Sequence, residues 1–202
     1  MSVRRAPAPT PPVVERLLTV STWLFSTKGF DRTTVEEIVK AAEVTKGAMY
    51  HYFRSKDDLL SEIYRRYLNE QLDRLDRSVK LDAPTPERLR SAVVDVVMST
   101  IDNLDATKVF SESMHQLSPD VRAAVRAEQR IYHNLFRTLI MDGQDTGAFR
   151  VDRPADLVVE FFFGSVHHIK DWYRPEGPLS AKQLGEHFAG LLLDALRPPT
   201  RM

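Results

Sequence analysis

Apolar residues recur every three or four positions along most of this 202-residue chain. No segment alternates strictly between apolar and polar residues, and the chain contains only 8 glycines. A repeat near 3.6 residues is typical of amphipathic α-helices. The pattern therefore predicts an all-α fold of about nine helices, in which a small N-terminal unit of three helices precedes a larger helical unit.

The predicted helices of the N-terminal unit are closely spaced. The first runs from about Pro12 to Lys28 and stops at Gly29. The second is expected to begin at a capping box made by Thr33 and by Glu36 three residues later. The third runs from Thr45 to about 53, and Ser55 is positioned to cap a long fourth helix that ends near 79.

Proline and glycine divide the rest of the chain. Thr85 is expected to cap a helix that reaches about 104, and the segment 106–117 is less regular. Ser118 and Pro119 open a helix to about 141, a loop follows, and 154–173 is strongly apolar and helical. Ser180, with Gln183 three residues later, should cap the last helix.

Two short helices joined by a tight turn suggest a helix-turn-helix, whose second helix enters a DNA groove. The third predicted helix has a polar face, small residues that keep it narrow, and Met49, Tyr52 and Phe53 to pack it against the first two helices. The predicted DNA-binding residues lie on this face or at the starts of neighbouring helices, where backbone N–H groups favour phosphate. They are Thr34, Thr45, Lys46, Gly47, Tyr50, His51 and Lys56. The alternative is a helical hairpin whose polar residues only face water.

Bulk composition narrows the possibilities. The net charge is zero, with 28 basic and 28 acidic residues, so DNA contacts must come from placed residues and not from overall charge. The absence of cysteine excludes disulfides and thiol catalysis. No apolar run approaches the ~20 residues of a membrane span, and the N-terminus does not resemble a signal peptide. We therefore predict a cytoplasmic protein that does not contact a membrane.

Motifs for catalysis or nucleotide binding are absent from the sequence, including GxSxG, GxxxxGK[ST], GxGxxG and HExxH. None of the six histidines has another histidine four residues later, which is the spacing of many helical metal sites. We predict no catalytic residue, no cofactor and no metal. A helical enzyme without recognisable motifs is the third class of function considered.

The segment 29–60 resembles the DNA-binding region of the TetR/AcrR family of bacterial regulators. The matching positions are Gly29, Phe30, Thr33, Thr34, Val35, Ile38, Ala42, Val44, Thr45, Gly47, Tyr50, Tyr52, Phe53, Lys56, Leu59 and Leu60. One departure is Glu43, which occupies the turn position where the family usually has glycine. The resemblance implies a helix-turn-helix domain at 13–57 and a ligand-binding and dimerisation domain at 58–202.

The same resemblance implies homodimers on double-stranded operator DNA, formed through the last two helices of each chain. It also implies a small-molecule effector in an apolar pocket among the middle helices. The predicted pocket residues are Phe110, Met114, Tyr132, Phe136, Phe162, Val166 and His167. Four basic residues were considered as partners for phosphates of a ligand: Arg126, Arg130, Lys170 and Arg174.

The C-terminal run DWYRPEGPLSAKQLGEHF resembles regulators of fatty-acid and sterol breakdown, several of which sense acyl-CoA thioesters. This favours a repressor of lipid catabolism that an acyl-CoA releases from DNA. A repressor of a drug-efflux pump that senses apolar cations is the alternative, and acidic pocket residues such as Glu112 or Glu160 would favour it. The proline-rich residues 1–12 are predicted to form a disordered tail, whose Arg4 and Arg5 could reach a minor groove.

Overall fold

The computed structural model describes residues 11–199, and within that range the protein is built from α-helices and one 3-10 turn. The helices are α1 Pro12–Lys28, α2 Val35–Ala41, α3 Lys46–Tyr52, α4 Lys56–Val79, α5 Thr85–Asp102, α6 Leu104–Ser113, α7 Pro119–Asp145, α8 Ala155–His167, α9 Ile169–Trp172 and α10 Ala181–Leu196. The 3-10 turn is Met114–Gln116. The all-α prediction is confirmed, and α8 and α9 form one predicted helix that is interrupted at His168.

The N-terminal predictions are accurate to within one residue. Helix α1 has the predicted bounds. Helix α4 also agrees with its prediction, because it begins after the Ser55 cap and ends at Val79. The α2 cap is displaced by one residue: Thr34 and Glu37 form the capping box, and not Thr33 and Glu36. Thr33 is buried instead, where its hydroxyl donates to the Gly29 carbonyl at 2.8 Å.

Beyond α4, the structure differs from the predicted helices in three places. Helix α5 begins at Thr85 itself, preceded by Pro84, so Thr85 is not the cap. The segment predicted as irregular contains α6, whose short apolar face packs on α1 and α4. Helix α7 continues to Asp145, past the predicted end near 141. In its last turn Gly143 leaves space for the Phe149 ring, which a Cβ atom at position 143 would approach to 2.0 Å.

The buried apolar residues form two clusters, and α4 contributes to both. Its first half places Leu59, Leu60, Ile63 and Tyr64 in the cluster that holds α1, α2 and α3 together. Its second half places Leu75 in the cluster formed with α5, α7, α8 and α10. The three N-terminal helices, called the head below, are therefore fixed to the body of the protein through α4.

The N-terminal cluster also contains residues from the body. These residues are Val109 of α6, Leu117 between the 3-10 turn and α7, and Val125 of α7. The predicted boundary between residues 57 and 58 stays a prediction, but the packing shows that residues far beyond it contribute to the core of the head. Residues 1–10 and 200–202 lie outside the described range, so the predicted tail with Arg4 and Arg5 is not addressed.

Candidate DNA-reading head and ligand cavity

A tight turn joins α2 to α3. Glu43 has φ of +54°, and no other non-glycine residue in 11–199 has a positive φ. The turn closes with a 3.0 Å hydrogen bond from the Val44 N–H to the Val39 carbonyl. An L-residue in the left-handed region carries a backbone penalty of about 1 kcal/mol. The turn therefore forms although Glu43 stands where the family usually has glycine, and Glu43 adopts the left-handed backbone conformation that favours glycine.

Helix α3 is anchored on one side and open on the other. Met49 and Phe53 are buried in the head, as predicted. Tyr52 is 43% exposed, so the prediction that it packs inward is wrong; its ring stands edge-on to His51 at a centroid distance of 4.8 Å. Tyr52 is the last residue of α3, and its side chain lies in a surface groove beside Phe53 and residues of α4 and α7.

The outward face of α3 carries most of the predicted DNA-binding residues. Lys46, Gly47, Tyr50 and His51 are all exposed. Thr45 is also exposed, and its hydroxyl accepts a hydrogen bond from the Ala48 N–H at 3.0 Å, which fixes the start of the helix. The structure thus brings these five residues to one surface, which is the arrangement a groove-reading helix requires.

Lys46 has a partner within the head. Its ammonium forms an ion pair with Glu36 of α2, and both side chains are largely exposed. Glu36 raises the pKa of Lys46, and Lys46 in turn lowers the pKa of Glu36 by hydrogen bonding. Exposed ion pairs are weak, so phosphate can compete for the lysine. The carboxylate nevertheless places negative charge on the surface that would face DNA.

Lys56 is bound to the loop between α1 and α2. Its ammonium donates to the carbonyl oxygens of Phe30 at 2.6 Å and Thr33 at 3.0 Å, and it lies 4.1 Å from the centroid of the Phe30 ring. An ammonium has three donors, so one N–H is left over for another acceptor. Lys56 therefore holds the base of the head together, whatever else it binds.

Thr34 is engaged in the capping box of α2. Its hydroxyl accepts from the Glu37 N–H at 3.2 Å, while the Glu37 carboxylate accepts from the Thr34 N–H at 2.9 Å. Lys28 also binds Glu37, and its hydrogen bond is the main reason that the pKa of Glu37 falls to about 2. Thr34 lies at the exposed start of α2, beside backbone N–H groups that point outward.

A cavity of about 350 Å³ lies beneath α4, between α5, α6, α7 and α8. It is lined by Tyr67, Leu68, Gln71, Val96, Thr100, Thr107, Phe110, Ser111, Met114, Arg126, Gln129, Tyr132, His133, Phe163, Val166 and His167. Five of the seven predicted pocket residues are among them. Within 11–199 this lining includes no aspartate or glutamate.

Phe136 and Phe162 are not cavity residues, and that prediction is wrong for both. Their rings stack on each other at 4.7 Å inside the C-terminal core. The three consecutive phenylalanines of α8 point in different directions, about 100° apart. Phe162 faces the core, Phe163 faces the cavity, and Phe161 is 68% exposed. Composition alone does not determine this rotation.

One end of the cavity is buried and polar. The Tyr132 hydroxyl donates to Gln71 Oε1 at 2.8 Å, and the Tyr67 and Thr107 hydroxyls are 3.0 Å apart. Burial raises the pKa of Tyr132 well above its usual value and also raises that of Tyr67, so both phenols stay protonated. Gln71 was not among the predicted pocket residues. A glutamine on the apolar face of α4 does indicate a buried hydrogen bond, and it could have been identified from the sequence.

The other end of the cavity opens to solvent and is basic or neutral. Arg126 and Ser111 are exposed there. His133, the neighbour of Tyr132 on α7, stacks on Phe163 in the wall of the cavity at a centroid distance of 4.2 Å. Desolvation lowers the pKa of His133 and of His167, which favours neutral imidazoles at pH 7. Of the basic residues considered from sequence, only Arg126 borders the cavity; the other three, Arg130, Lys170 and Arg174, do not.

Comparison with known proteins agrees with this architecture. Residues 17–63 match the family described as "Bacterial regulatory proteins, tetR family", and residues 82–196 match "Tetracyclin repressor-like, C-terminal domain". The chain belongs to the TetR family. It is a DNA-binding transcriptional regulator of that family and not an enzyme.

Among the relatives of this TetR-family protein is the HTH-type transcriptional repressor KstR2 of Mycolicibacterium smegmatis, which is 26% identical over 90% of this chain and 89% of that protein. The solved structure of the ketosteroid transcriptional regulator KstR2 of Mycobacterium tuberculosis superposes with a TM-score of 0.85 at 24% identity, covering 96% of this chain and all of that one. AibR, solved in complex with isovaleryl coenzyme A and operator DNA, gives a TM-score of 0.75 at 23% identity over 93% of this chain and 99% of that one. The two structures establish the shared fold.

None of the helices within 11–199 combines the length and the apolar character that crossing a bilayer requires.

Helices α8 and α10 expose large apolar side chains. Leu157 and Phe161 of α8 and Leu191 of α10 are each more than 60% exposed. Gly164 and Gly190 lie on the same helices, and a Cβ atom at either position would meet no other atom within 4 Å.

The Lys46–Glu36 pair generates a prediction about DNA binding. We expect Glu36→Gln to raise affinity for non-specific duplex DNA about three- to tenfold at low salt, because it removes a negative charge beside the phosphates and releases Lys46. The slope of log K against log salt should steepen by up to about 0.9, the value for one further phosphate contact. Fluorescence anisotropy with a labelled duplex measures both quantities.

Glu186→Gln is the matched control for that experiment. It removes the same charge from an exposed ion pair, with Arg90, on α10 and far from the head. It should leave both the affinity and the slope unchanged. Equal effects of the two substitutions, or weaker DNA binding by Glu36→Gln, would show that Glu36 does not restrain Lys46.

Proposed function

We propose that this protein represses genes of lipid or acyl-CoA breakdown and leaves its operator when an acyl-CoA-type effector enters the cavity. The observation that carries the proposal is the cavity itself, whose open end is bordered by Arg126 and whose lining includes an apolar section formed by Leu68, Val96, Phe110, Met114, Phe163 and Val166. A thioester offers matching parts, because its nucleotide end is anionic and its acyl end is apolar. Its nucleotide end would remain at the surface, since the cavity is too small to enclose the whole molecule.

Two comparisons support this choice of ligand. KstR2 relatives align over about nine-tenths of the chain, and the KstR2 of M. tuberculosis is described as a ketosteroid regulator. AibR, a neighbour in fold, was solved with isovaleryl coenzyme A as well as operator DNA. Both names connect this architecture with regulation by products of lipid or branched acid metabolism.

The alternative effector, an apolar cationic drug, would find no carboxylate in the cavity lining within the described part of the chain. The aromatic rings of Tyr67, Phe110 and Tyr132 could contact a cation, but they give it no opposite full charge. Neither Glu112 nor Glu160, the two candidates for that role, borders the cavity. The basic residue at the open end, Arg126, instead favours an anion.

We propose that the exposed face of α3 reads the operator in its major groove. Tyr50 and His51 are the candidates for base contacts, and Lys46 for a phosphate contact. Gly47 permits close approach because it places no side chain on the outward face. The proposed DNA-binding set remains Thr34, Thr45, Lys46, Gly47, Tyr50, His51 and Lys56. Because the operator lies on the bacterial chromosome, the protein is proposed to act in the cytoplasm.

We propose that two chains associate through α8 and α10. Leu157 and Phe161 lie one turn apart on α8 and are both exposed, and Leu191 is exposed on α10. Gly164 and Gly190 allow helices of a partner to approach closely. A two-fold axis through this face would form a four-helix interface and present two heads to the two half-sites of a palindromic operator.

The proposed switch acts through α4. This helix lines the cavity with Tyr67, Leu68 and Gln71, and its first turns are part of the head. An effector that fits better when α4 is displaced shifts the population toward a state in which the heads do not match the half-site spacing. The shift is limited by the difference in effector affinity between the two states, about 1.4 kcal/mol for each factor of ten.

Tyr50→Ala tests the reading face. We expect operator affinity to fall about ten- to a hundredfold, because one specific contact is lost, while dimerisation and effector affinity stay unchanged. Trp23→Ala is the control, since it also removes an exposed aromatic ring from the head but on α1. Anisotropy with a duplex selected from a random library measures binding, and sedimentation measures association. Equal losses of all three properties in Tyr50→Ala would contradict a separate reading face.

A ligand screen tests the effector class. We expect acyl-CoA thioesters to raise the melting temperature and to release the selected duplex, whereas free acids and cationic drugs do neither. Arg126→Gln should weaken thioester binding about tenfold through loss of a charge-assisted contact. Arg130→Gln, an exposed arginine of α7 outside the cavity lining, should not. Release by cationic drugs but by no thioester would overturn the proposed effector.

A further inference from the structure

The buried end of the cavity is formed by a chain of uncharged polar groups. Tyr132 donates to Gln71 at 2.8 Å, and both side chains are almost fully buried. Tyr67 and Thr107 are hydrogen-bonded at 3.0 Å, and the Thr107 hydroxyl also approaches the Thr100 carbonyl at 3.4 Å. All five residues line the cavity, so the chain is part of its wall.

The polar chain lies away from the open end. Tyr132 is six residues beyond Arg126 on α7, which separates the two by about 9 Å along the helix axis. Thr100, Thr107 and Gln71 are all buried, whereas Arg126 is exposed. Between the two ends the wall is apolar, formed by Leu68, Val96, Phe110, Met114, Phe163 and Val166. A ligand that enters from the basic end therefore meets the polar chain with its far end.

The polar chain keeps capacity for further hydrogen bonds. The Tyr132 oxygen donates its proton to Gln71 and retains lone pairs that can accept. The Gln71 amide accepts from Tyr132 through its oxygen, and its nitrogen carries two N–H donors, one of which is directed at the Tyr67 hydroxyl, so one is left for a ligand. A purely hydrocarbon ligand would displace water from these groups without offering them a hydrogen bond, which is unfavourable in a buried site. A ligand that carries both an acceptor and a donor would use it.

We propose that the effector carries a neutral hydrogen-bonding group, a hydroxyl or a ketone, at the end of its acyl part, and that Gln71 and Tyr132 bind this group. The inference rests on the proposed function, because it assumes a thioester that enters past Arg126. A carboxylate or an ammonium at the same place is disfavoured, because the described lining there contains no charged residue and Asp95, which interacts with Tyr132, does not border the cavity.

The position of the polar chain links recognition to the switch. Gln71 and Tyr67 belong to α4, Thr107 to α6 and Tyr132 to α7, so the chain joins the helix that carries the head to two helices of the body. A ligand group that binds Gln71 contacts α4 directly. An unsubstituted acyl chain can fill the apolar section, but it makes no directed contact with that helix.

Matched pairs of ligands test the inference. Octanoyl-, decanoyl- and dodecanoyl-CoA are compared with their ω-hydroxy counterparts by titration calorimetry on the full-length protein. We expect a hydroxylated thioester to bind about tenfold or more tightly than its unsubstituted partner of the same length. Gln71→Leu and Tyr132→Phe should each remove most of this preference while retaining the binding of the unsubstituted thioester.

Tyr64→Phe is the matched control. It also removes a buried phenol hydroxyl, one that donates to the Val109 carbonyl at 2.9 Å, but Tyr64 does not line the cavity. The preference should persist in this variant. Circular dichroism and sedimentation confirm that each variant is folded and associates as the wild type does.

The outcomes separate this inference from the proposed function. Equal affinity for both members of every pair in the wild type would overturn the inference and leave an acyl-CoA effector standing. A preference that survives in Gln71→Leu and Tyr132→Phe would overturn the assignment to these residues. Failure of every thioester to bind would overturn the proposed function, and the inference with it.

Discussion

Helix α4 buries the two halves of one face in two different hydrophobic cores. Leu59, Leu60 and Tyr64 are almost fully buried with the head, and Leu75 is equally buried in the body. Each such side chain contributes about 2 kcal/mol relative to an exposed one. The head is therefore attached to the body by apolar packing along a single helix, and the proposed switch uses this attachment, because α4 also lines the cavity.

A second connection reinforces the first. The Tyr64 hydroxyl donates to the Val109 carbonyl and so connects α4 to α6. The next residue, Phe110, lines the cavity, and its ring centroid lies 4.9 Å from that of Tyr64. Val109 itself is part of the core of the head. Packed side chains of this kind have few alternative arrangements, so small displacements tend to be transmitted and not absorbed.

Local sequence signals predicted the head well and the cavity only in part. Caps and stops such as Ser55 and Gly29 act within a few residues, and the family match covers residues 17–63, which include the outward face of α3. The rotation of α8 depends on tertiary packing, which is why Phe162 was assigned to the pocket in place of Phe163. Glu36 and Gln71 were missed because their partners, Lys46 and Tyr132, come from other helices.

The proposed switch requires that occupation of the cavity changes the distance between the two heads of a dimer. The chain has no cysteine, so Lys40→Cys on the exposed side of α2 allows a single spin label in each head. Pulsed dipolar spectroscopy then compares the distance between labels in the presence of operator duplex and in the presence of the tightest-binding thioester. We predict two distinct distributions. The same distribution in both conditions would contradict the proposed switch.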